Sequence, residues 1–216
     1  MSVDRMRRRV AVAAALFVLS SGALAQSLLD ELTQAVANDR VDEVKQLLAR
    51  GMDPDSVDPN GEPMLAIAAR NGYARTAEAL LAAKAHPNKA NRFGDTPLML
   101  AALKGDLDTV RVLQAGGAAM NRPGWTPLIY AATGGHDDVV EFLLLHGADI
   151  DAPSPNGTTA LMMAIHEHHP ETARRLITHG ANVDHRNQDG ATALEWAQRG
   201  NENDIVKELR RVGARG

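Results

Sequence analysis

The feature that most constrains the fold is a unit that recurs about every 33 residues along most of the chain. Successive copies are separated by 33, 33, 30, 33 and 33 residues when they are aligned on Leu32, Leu65, Leu98, Leu128, Leu161 and Leu194. A glycine stands nineteen residues after this leucine in every copy but one, where Lys84 takes its place. A repeat of this length indicates a stack of similar units, because a single unit cannot bury its own apolar side.

Each unit carries the signals of two helices joined by turns. Thr96 and Pro97 begin the first helix of their unit, with Thr as the cap and Pro in the first turn, where no amide partner is lost. Glycines such as Gly105 end this helix in a left-handed turn. Apolar residues at three- and four-residue spacing predict a second helix, and turn pairs such as Asn60 and Gly61 predict an extended finger between units.

Two segments, GDTPLMLAA at 94–102 and GWTPLIYAA at 124–132, resemble the ankyrin repeat. The resemblance covers residues 27–215. It implies an all-α fold, a curved solenoid of about six stacked helix-turn-helix units with β-hairpin fingers. One departure is that the histidine usual after the aligned leucine is absent, and the residues in its place are Ala66, Met99, Ile129, Met162 and Glu195.

The first 25 residues have the pattern of a secretory signal peptide. A basic head with four arginines precedes ten apolar residues from Val10 to Leu19, and Ala23 and Ala25 supply the small residues of a cleavage site. We expect cleavage near Ala25; an uncleaved anchor and a misassigned start are the alternatives. The remaining chain divides into an N-terminal capping repeat at 26–59, central repeats at 60–190 and a C-terminal capping repeat at 191–216.

The composition after residue 25 limits the cellular location and the partners that we expect for the protein. Removing four Arg and one Asp from 23 basic and 27 acidic residues leaves 19 and 26, a net charge of −7. This balance, without a block of positive charge, argues against nucleic acid as a partner. The chain has no cysteine, which excludes disulfides and thiol chemistry. We expect an exported, monomeric protein of the bacterial periplasm with no membrane span and no cofactor.

The resemblance also implies where a partner protein is held, namely by finger tips and by positions near the end of each first helix. The helix positions are Arg70, Asn71, Leu103, Lys104, Thr133, His166, Glu167 and Arg199. The finger positions are Asn60, Glu62, Arg92, Phe93, Asp95, Arg122, Trp125, Asn156, Thr158, Gln188 and Asp189. We predict a non-enzymatic protein that binds an unidentified partner protein along this strip as its scaffold, protector or inhibitor.

The middle of this strip has the composition of a binding hot spot. Phe93, Leu103 and Trp125 place apolar groups on neighbouring repeats. The basic residues around them are Arg70, Arg92, Lys104 and Arg122. Aromatic groups beside arginine are typical of hot spots, and the positive charge predicts an acidic segment on the partner. The alternative is that tryptophan stands at this position only for packing.

One finger is shorter than the others. Seven steps separate Asn121 from Leu128, whereas ten separate Asn88 from Leu98 in the preceding repeat. Three missing residues predict a notch in the row of fingers beside Trp125. This notch either admits a protruding loop of a partner or is a neutral deletion.

The histidines are the main signal for chemistry other than protein binding. His166, His168 and His169 lie close in sequence to Glu167 and Glu171. A zinc-protease helix needs two residues between the Glu and the second His, and the order His-Glu-His-His lacks this gap. A weak metal or small-ligand site at His166–His169 is therefore an alternative, as is an immunity protein that inhibits a toxin. No nucleophile with a neighbouring base stands out in the sequence, so we predict no enzymatic activity.

Overall fold

The computed structural model describes residues 26–215, which form twelve helices in six successive pairs. The helices are α1 (26–37), α2 (Val41–Ala49), α3 (Met64–Asn71), α4 (Ala74–Ala82), α5 (Pro97–Lys104), α6 (Leu107–Ala115), α7 (Pro127–Gly134), α8 (Asp137–Leu145), α9 (Ala160–His166), α10 (Pro170–Thr178), α11 (Ala193–Arg199) and α12 (Asn203–Arg211). Each pair corresponds to one copy of the sequence repeat. The predicted solenoid of about six stacked helix pairs is confirmed.

The helices pack in two rows. From α3 to α11 each odd-numbered helix contacts the next odd-numbered one, which gives an inner row, and the even-numbered helices form an outer row. The paired alanines Ala101, Ala102, Ala131 and Ala132 are fully buried, so α5 and α7 approach closely. The aligned leucines join the same core, which runs without a break through the stack. Stability therefore comes from contacts between neighbouring repeats.

The ends of the inner helices follow the predicted capping signals. The hydroxyl oxygen of Thr126 accepts a hydrogen bond from the backbone N–H of Ile129 at 3.2 Å, which satisfies one free donor of the first turn of α7. A residue with positive φ follows each inner helix, at Asp39, Gly72, Gly105, Gly135, His168 and Asn201. Half of these residues are not glycine, so the stacked fold imposes the left-handed turn even where a side chain makes it strained.

The fingers are tight turns, and the prediction that they are β-hairpins was wrong. Within residues 26–215 the only β pairing is an isolated bridge between Val57 and Pro63. One backbone bond and one side chain close the finger tip: the Asn91 N–H donates to the Asp95 backbone oxygen at 2.9 Å, and the Oδ1 atom of Asn91 accepts from the backbone N–H groups of Phe93 and Asp95, both at 2.9 Å. Because the side chain takes up the Asp95 N–H, the two arms lack the reciprocal backbone bond of a strand pair.

Equivalent Asp and Asn side chains tie each finger to the next. The backbone N–H of Ala119 donates to Oδ1 of Asn88, and that of Asp149 donates to Oδ1 of Asn121, both at 2.8 Å. Asn121 therefore occupies the place that Asn88 has one repeat earlier, and the three missing residues fall between Asn121 and Gly124. A groove of about 560 Å³ lies at this point. The notch is present, and its use by a partner stays a prediction.

The two ends of the chain differ in what the structure describes. The predicted signal peptide at 1–25 lies outside the described residues. At the other end, α12 buries Ile205 and Leu209 against the stack and exposes Lys207, Arg210 and Arg211 to solvent. Among residues 26–215 no helix has the length and apolarity needed to cross a bilayer. The boundaries at 26–59, 60–190 and 191–216 stay predictions.

Candidate functional site

The inner face, meaning the solvent side of the inner row with the adjoining finger tips, carries one large apolar or aromatic side chain in each of the second to sixth repeats, at a position missed by the sequence analysis. This position lies two residues after the aligned leucine and is occupied by Ile67, Leu100, Tyr130, Met163 and Trp196. The first two side chains are buried, and the last three are half-buried. The signal that could have identified it is the change from aliphatic residues to Tyr and Trp at a fixed repeat position.

Four residues at the middle of the inner face form what we call the central cluster: Asp95, Arg122, Trp125 and Tyr130. The Tyr130 hydroxyl donates to Oδ1 of Asp95 at 2.5 Å, across two repeats. The Trp125 ring stands edge-on to the Tyr130 ring, with 6.1 Å between centroids and 90° between planes. Burial of the phenol, together with the bond to the Asp95 carboxylate, raises the pKa of Tyr130 far above its ordinary value.

Arg122 ties the short finger to its neighbour. Its guanidinium donates to the backbone oxygen of Gly94 at 2.6 Å and lies 3.5 Å from the Met99 sulfur. The side chain is half-buried, so Arg122 is a structural contact of the cluster and offers a partner only part of its surface. The guanidinium thus fixes the finger that carries Trp125.

Apolar side chains beside the central cluster are exposed to solvent. The exposed fraction is 71% for Phe93, 42% for Leu103 and 39% for Trp125. The guanidinium of Arg92 lies over the Phe93 ring, 4.8 Å from its centroid, and Lys104 is exposed at the end of α5. These three apolar side chains and the cations Arg92 and Lys104 are therefore exposed at their predicted helix and finger positions, and their use as a hot spot stays a prediction.

The predicted residues of the second repeat are held in a polar network. Arg70 pairs with the buried carboxylate of Glu62, and the Nδ2 atom of Asn91 lies 3.4 Å from that carboxylate. Asn71 is exposed next to Arg70. Glu62 was predicted as a finger-tip contact, and that prediction was wrong because its side chain is used inside the stack.

Two further predicted positions also turn inward. Thr158 is buried at the base of its finger, where its backbone N–H donates to the Ser154 hydroxyl at 3.0 Å, so its prediction as a finger-tip contact was wrong too. The Thr133 hydroxyl donates to the backbone oxygen of Ile129 at 2.8 Å, and the side chain is half-buried. Thr133 therefore offers a partner only part of its surface.

The C-terminal end of the inner face has a cavity of about 440 Å³, which we call the terminal pocket. It lies between the fifth and sixth repeats and is lined by Ile165, His166, His168, Asp189, Ala191, Trp196, Arg199 and Gly200. Among these lining residues, the His166 ring lies 5.4 Å from the Trp196 ring. The pocket brings the predicted His166 together with Trp196, a residue that the sequence analysis did not select.

The histidines have different surroundings. His136 and His169 reach back one repeat, with their Nε2 atoms 2.8 Å from the Leu103 backbone oxygen and 3.0 Å from that of Thr133. At the terminal pocket, the Nδ1 atom of His166 lies 2.9 Å from the Glu167 carboxylate. In the part of the chain that the structure describes, no three His, Asp or Glu residues are grouped to hold a metal ion. Because the His169 ring contacts the Thr133 backbone of the preceding repeat, His169 stabilises the packing between repeats.

Comparison with known proteins identifies the family. The family model described as ankyrin repeats (3 copies) matches residues 32–123, 65–154 and 144–215. The chain belongs to the ankyrin-repeat family. Ankyrin repeats are protein–protein interaction modules, which agrees with an inner face that presents exposed side chains from neighbouring repeats. The human ASB11 ankyrin repeat domain has a similar structure, with a TM-score of 0.79 and 31% identity over 85% of this chain and 84% of that one.

Two curated relatives are similar to part of this ankyrin-repeat chain. The human cyclin-dependent kinase 4 inhibitor B is 40% identical over 91 residues, which are 42% of this chain and 65% of the inhibitor. The rat protein of the same name is 38% identical over 91 residues, which are 42% of this chain and 69% of the relative. The match thus spans about two-thirds of each relative.

Proposed function

We propose that this ankyrin-repeat protein is a non-enzymatic binding protein whose inner face holds an acidic segment of a partner protein over the central cluster. The observation that carries the proposal is the group of exposed apolar side chains, Phe93, Leu103 and Trp125, fixed on three neighbouring elements beside accessible cations. Large exposed aromatic groups on a rigid support are typical of binding hot spots.

Rigidity supports this assignment. Trp125 is held by the Tyr130 ring, Tyr130 by Asp95, and the finger by Arg122, so Trp125 is held in place before a partner arrives. A preorganised surface loses less conformational entropy on association than a mobile one. An interface of ordinary size buries roughly 800 Å² on each partner, which three or four stacked repeats can supply.

We further propose that the protein acts in the bacterial periplasm after removal of residues 1–25. The support is the basic head, short apolar run and small-residue cleavage pattern, together with a chain free of cysteine. Cell fractionation followed by N-terminal sequencing tests this part. The expected result is a periplasmic protein that begins near Gln26, and a full-length cytosolic protein would contradict it.

The role on the partner is either to protect or scaffold it, or to inhibit it, as an immunity protein does with a toxin. The partial similarity to proteins named as kinase inhibitors supports inhibition as one of the two roles. Affinity separates the two roles, since an immunity partner requires a dissociation constant below about 1 nM and a protector works with far weaker binding.

Site-specific photo-crosslinking tests the proposed surface. A photoreactive residue is placed at Trp125 and, as a matched control, at Arg211, which is exposed on the capped end of the stack. The expected result is one protein captured from position 125 and absent from position 211. Equal labelling at both positions would contradict the proposal that the inner face holds the partner.

A further inference from the structure

We propose that the terminal pocket receives a basic side chain, arginine or lysine, from the partner protein. The proposal rests on the proposed function, since it gives the partner segment a second contact of opposite charge to the first. The central cluster and the terminal pocket would then bind two chemically different parts of one segment.

The aromatic wall of the terminal pocket suits a cation. Trp196 is half-buried, and the His166 ring lies against it with 5.4 Å between centroids and 55° between planes. An indole supported in this way keeps a fixed orientation and leaves part of its surface open to the 440 Å³ cavity. The ring face of tryptophan is the strongest aromatic partner for guanidinium and ammonium groups.

The charges around the terminal pocket favour a cation over an anion. Asp189 lines the cavity, and its lining histidines contact two more carboxylates: His166 Nδ1 lies 2.9 Å from Glu167, and His168 Nδ1 lies 2.6 Å from Glu202. Three carboxylates therefore accompany the guanidinium of Arg199, which is exposed and lies on the rim. A second guanidinium, that of Arg186, donates to the Gly190 backbone oxygen at 2.6 Å and lies 3.9 Å from the carboxylate of Glu195.

The distance between the two sites sets the spacing on the partner. The cations that would meet the acidic segment belong to the repeat of α5, and Trp196 lies on α11, three steps along the inner row. Neighbouring helices pack at roughly 8–10 Å, so the two contacts lie roughly 24–30 Å apart along the stack. An extended segment rises about 3.3 Å per residue. The basic residue should therefore follow or precede the acidic segment by about seven to nine residues.

Nuclear magnetic resonance of the two tryptophan indole N–H groups tests the proposal directly, since the chain contains only two tryptophans. The probe is N-acetyl-arginine amide, with N-acetyl-norleucine amide as the uncharged control and N-acetyl-glutamate amide as the anion. A Trp125→Phe variant assigns the two signals. The expected result is a saturable shift of the Trp196 signal with the arginine probe at millimolar concentration and no saturable shift with the other two.

Variants at the exposed Asp189 make the test specific. Asp189→Asn should weaken binding of the arginine probe about two- to fivefold. Asp149→Asn, an exposed aspartate in a different finger, should leave the binding unchanged. A Trp196 signal that responds to the glutamate probe, or equally to norleucine, would overturn the proposal. Capture of a partner from position 125 does not depend on this result, so failure here and failure of the proposed function are distinguishable.

Discussion

The central cluster and the terminal pocket are built on the same repeat positions, but the first presents a projecting side chain and the second a cavity. Tyr130 and Trp196 are equivalent residues of α7 and α11, and Trp125 and Ala191 are equivalent residues of the fingers before them. In the centre, Trp125 stands on Tyr130 and fills the space. At the end, Ala191 offers only a methyl group at the equivalent position, and a cavity opens beside Trp196. The large side chain thus accompanies a projecting surface, and the small one accompanies a pocket.

The two regions also differ in charge. The exposed charged side chains beside the central cluster include the cations Arg92 and Lys104, whereas carboxylates outnumber guanidinium groups around the terminal pocket. The repeat scaffold fixes where side chains lie, and it leaves their chemistry free to vary from repeat to repeat. Binding specificity in this chain is therefore a property of a few positions on the inner face.

The largest expected effect concerns the projecting tryptophan of the centre. Trp125→Ala should reduce affinity for the crosslinked partner by about 2 kcal/mol or more, roughly 30-fold, because it removes the aromatic anchor. Titration calorimetry with the purified partner measures it. Leu145→Ala, at an exposed leucine of the outer row, should leave affinity unchanged. Equal losses in both variants would remove the distinction between the inner face and the outer row.

The left-handed turns after α7 and α9 should differ in how much an alanine substitution lowers the free energy of unfolding. Gly135 has a φ of +67°, and an added Cβ would lie 2.5 Å from the ring of His169, so Gly135→Ala should lower the free energy of unfolding by about 1–3 kcal/mol. His168 takes a φ of 61° at the equivalent place in the next repeat, so His168→Ala adds no new backbone strain. Urea unfolding measures both. A larger loss in His168→Ala would contradict this ordering.

The bond between Tyr130 and Asp95 should contribute a smaller amount. Tyr130→Phe should lower the free energy of unfolding by about 1–2 kcal/mol, because the phenol donates to a charged acceptor. The folded protein favours the neutral phenol, so its stabilisation is present below the ordinary tyrosine pKa of about 10 and is lost as the pH rises through the higher folded value. An alkaline absorbance titration should show a late ionisation step that is absent from Tyr130→Phe.

The smallest expected change is in the free energy of binding the arginine probe, and it tests whether the small side chain of Ala191 leaves the terminal pocket open. Ala191→Leu should fill the cavity beside Trp196 and weaken the arginine probe more than fivefold, a change of about 1 kcal/mol. Ala90→Leu, at an exposed finger alanine, is the control. The indole signal of Trp196 reports both variants. Unchanged binding in Ala191→Leu would show that the cavity is not the binding site.

Much of the fold could be predicted because its signals are local and repeated. Threonine caps, paired alanines and turn glycines occur within each unit, and the fixed intervals place them in register. The fingers were mispredicted because the choice between strand and turn depends on which acceptor takes each N–H group. Asn91 supplies that acceptor, and its side-chain geometry is not encoded in a turn pattern.

The site was predictable only in part because its contacts join distant residues. Phe93, Leu103 and Trp125 were selected from their repeat positions and are exposed, as expected. The bond from Tyr130 to Asp95 spans 35 residues and exists only once two repeats are stacked. Arg122 was predicted as a rim cation, but the shortened finger directs its guanidinium to the backbone of Gly94. Such cross-repeat contacts depend on the geometry of stacking.

Charge reversal on the inner face tests the central claim most directly. The double variant Arg92→Glu, Lys104→Glu removes the accessible cations of the centre, and Lys45→Glu, Arg75→Glu makes the same charge change at exposed residues of the outer row. Affinity for the crosslinked partner is measured for both. We predict a loss of at least tenfold for the inner-face variant, reduced at high salt, and no change for the outer-row variant. The opposite order would contradict the assignment of the inner face as the binding surface.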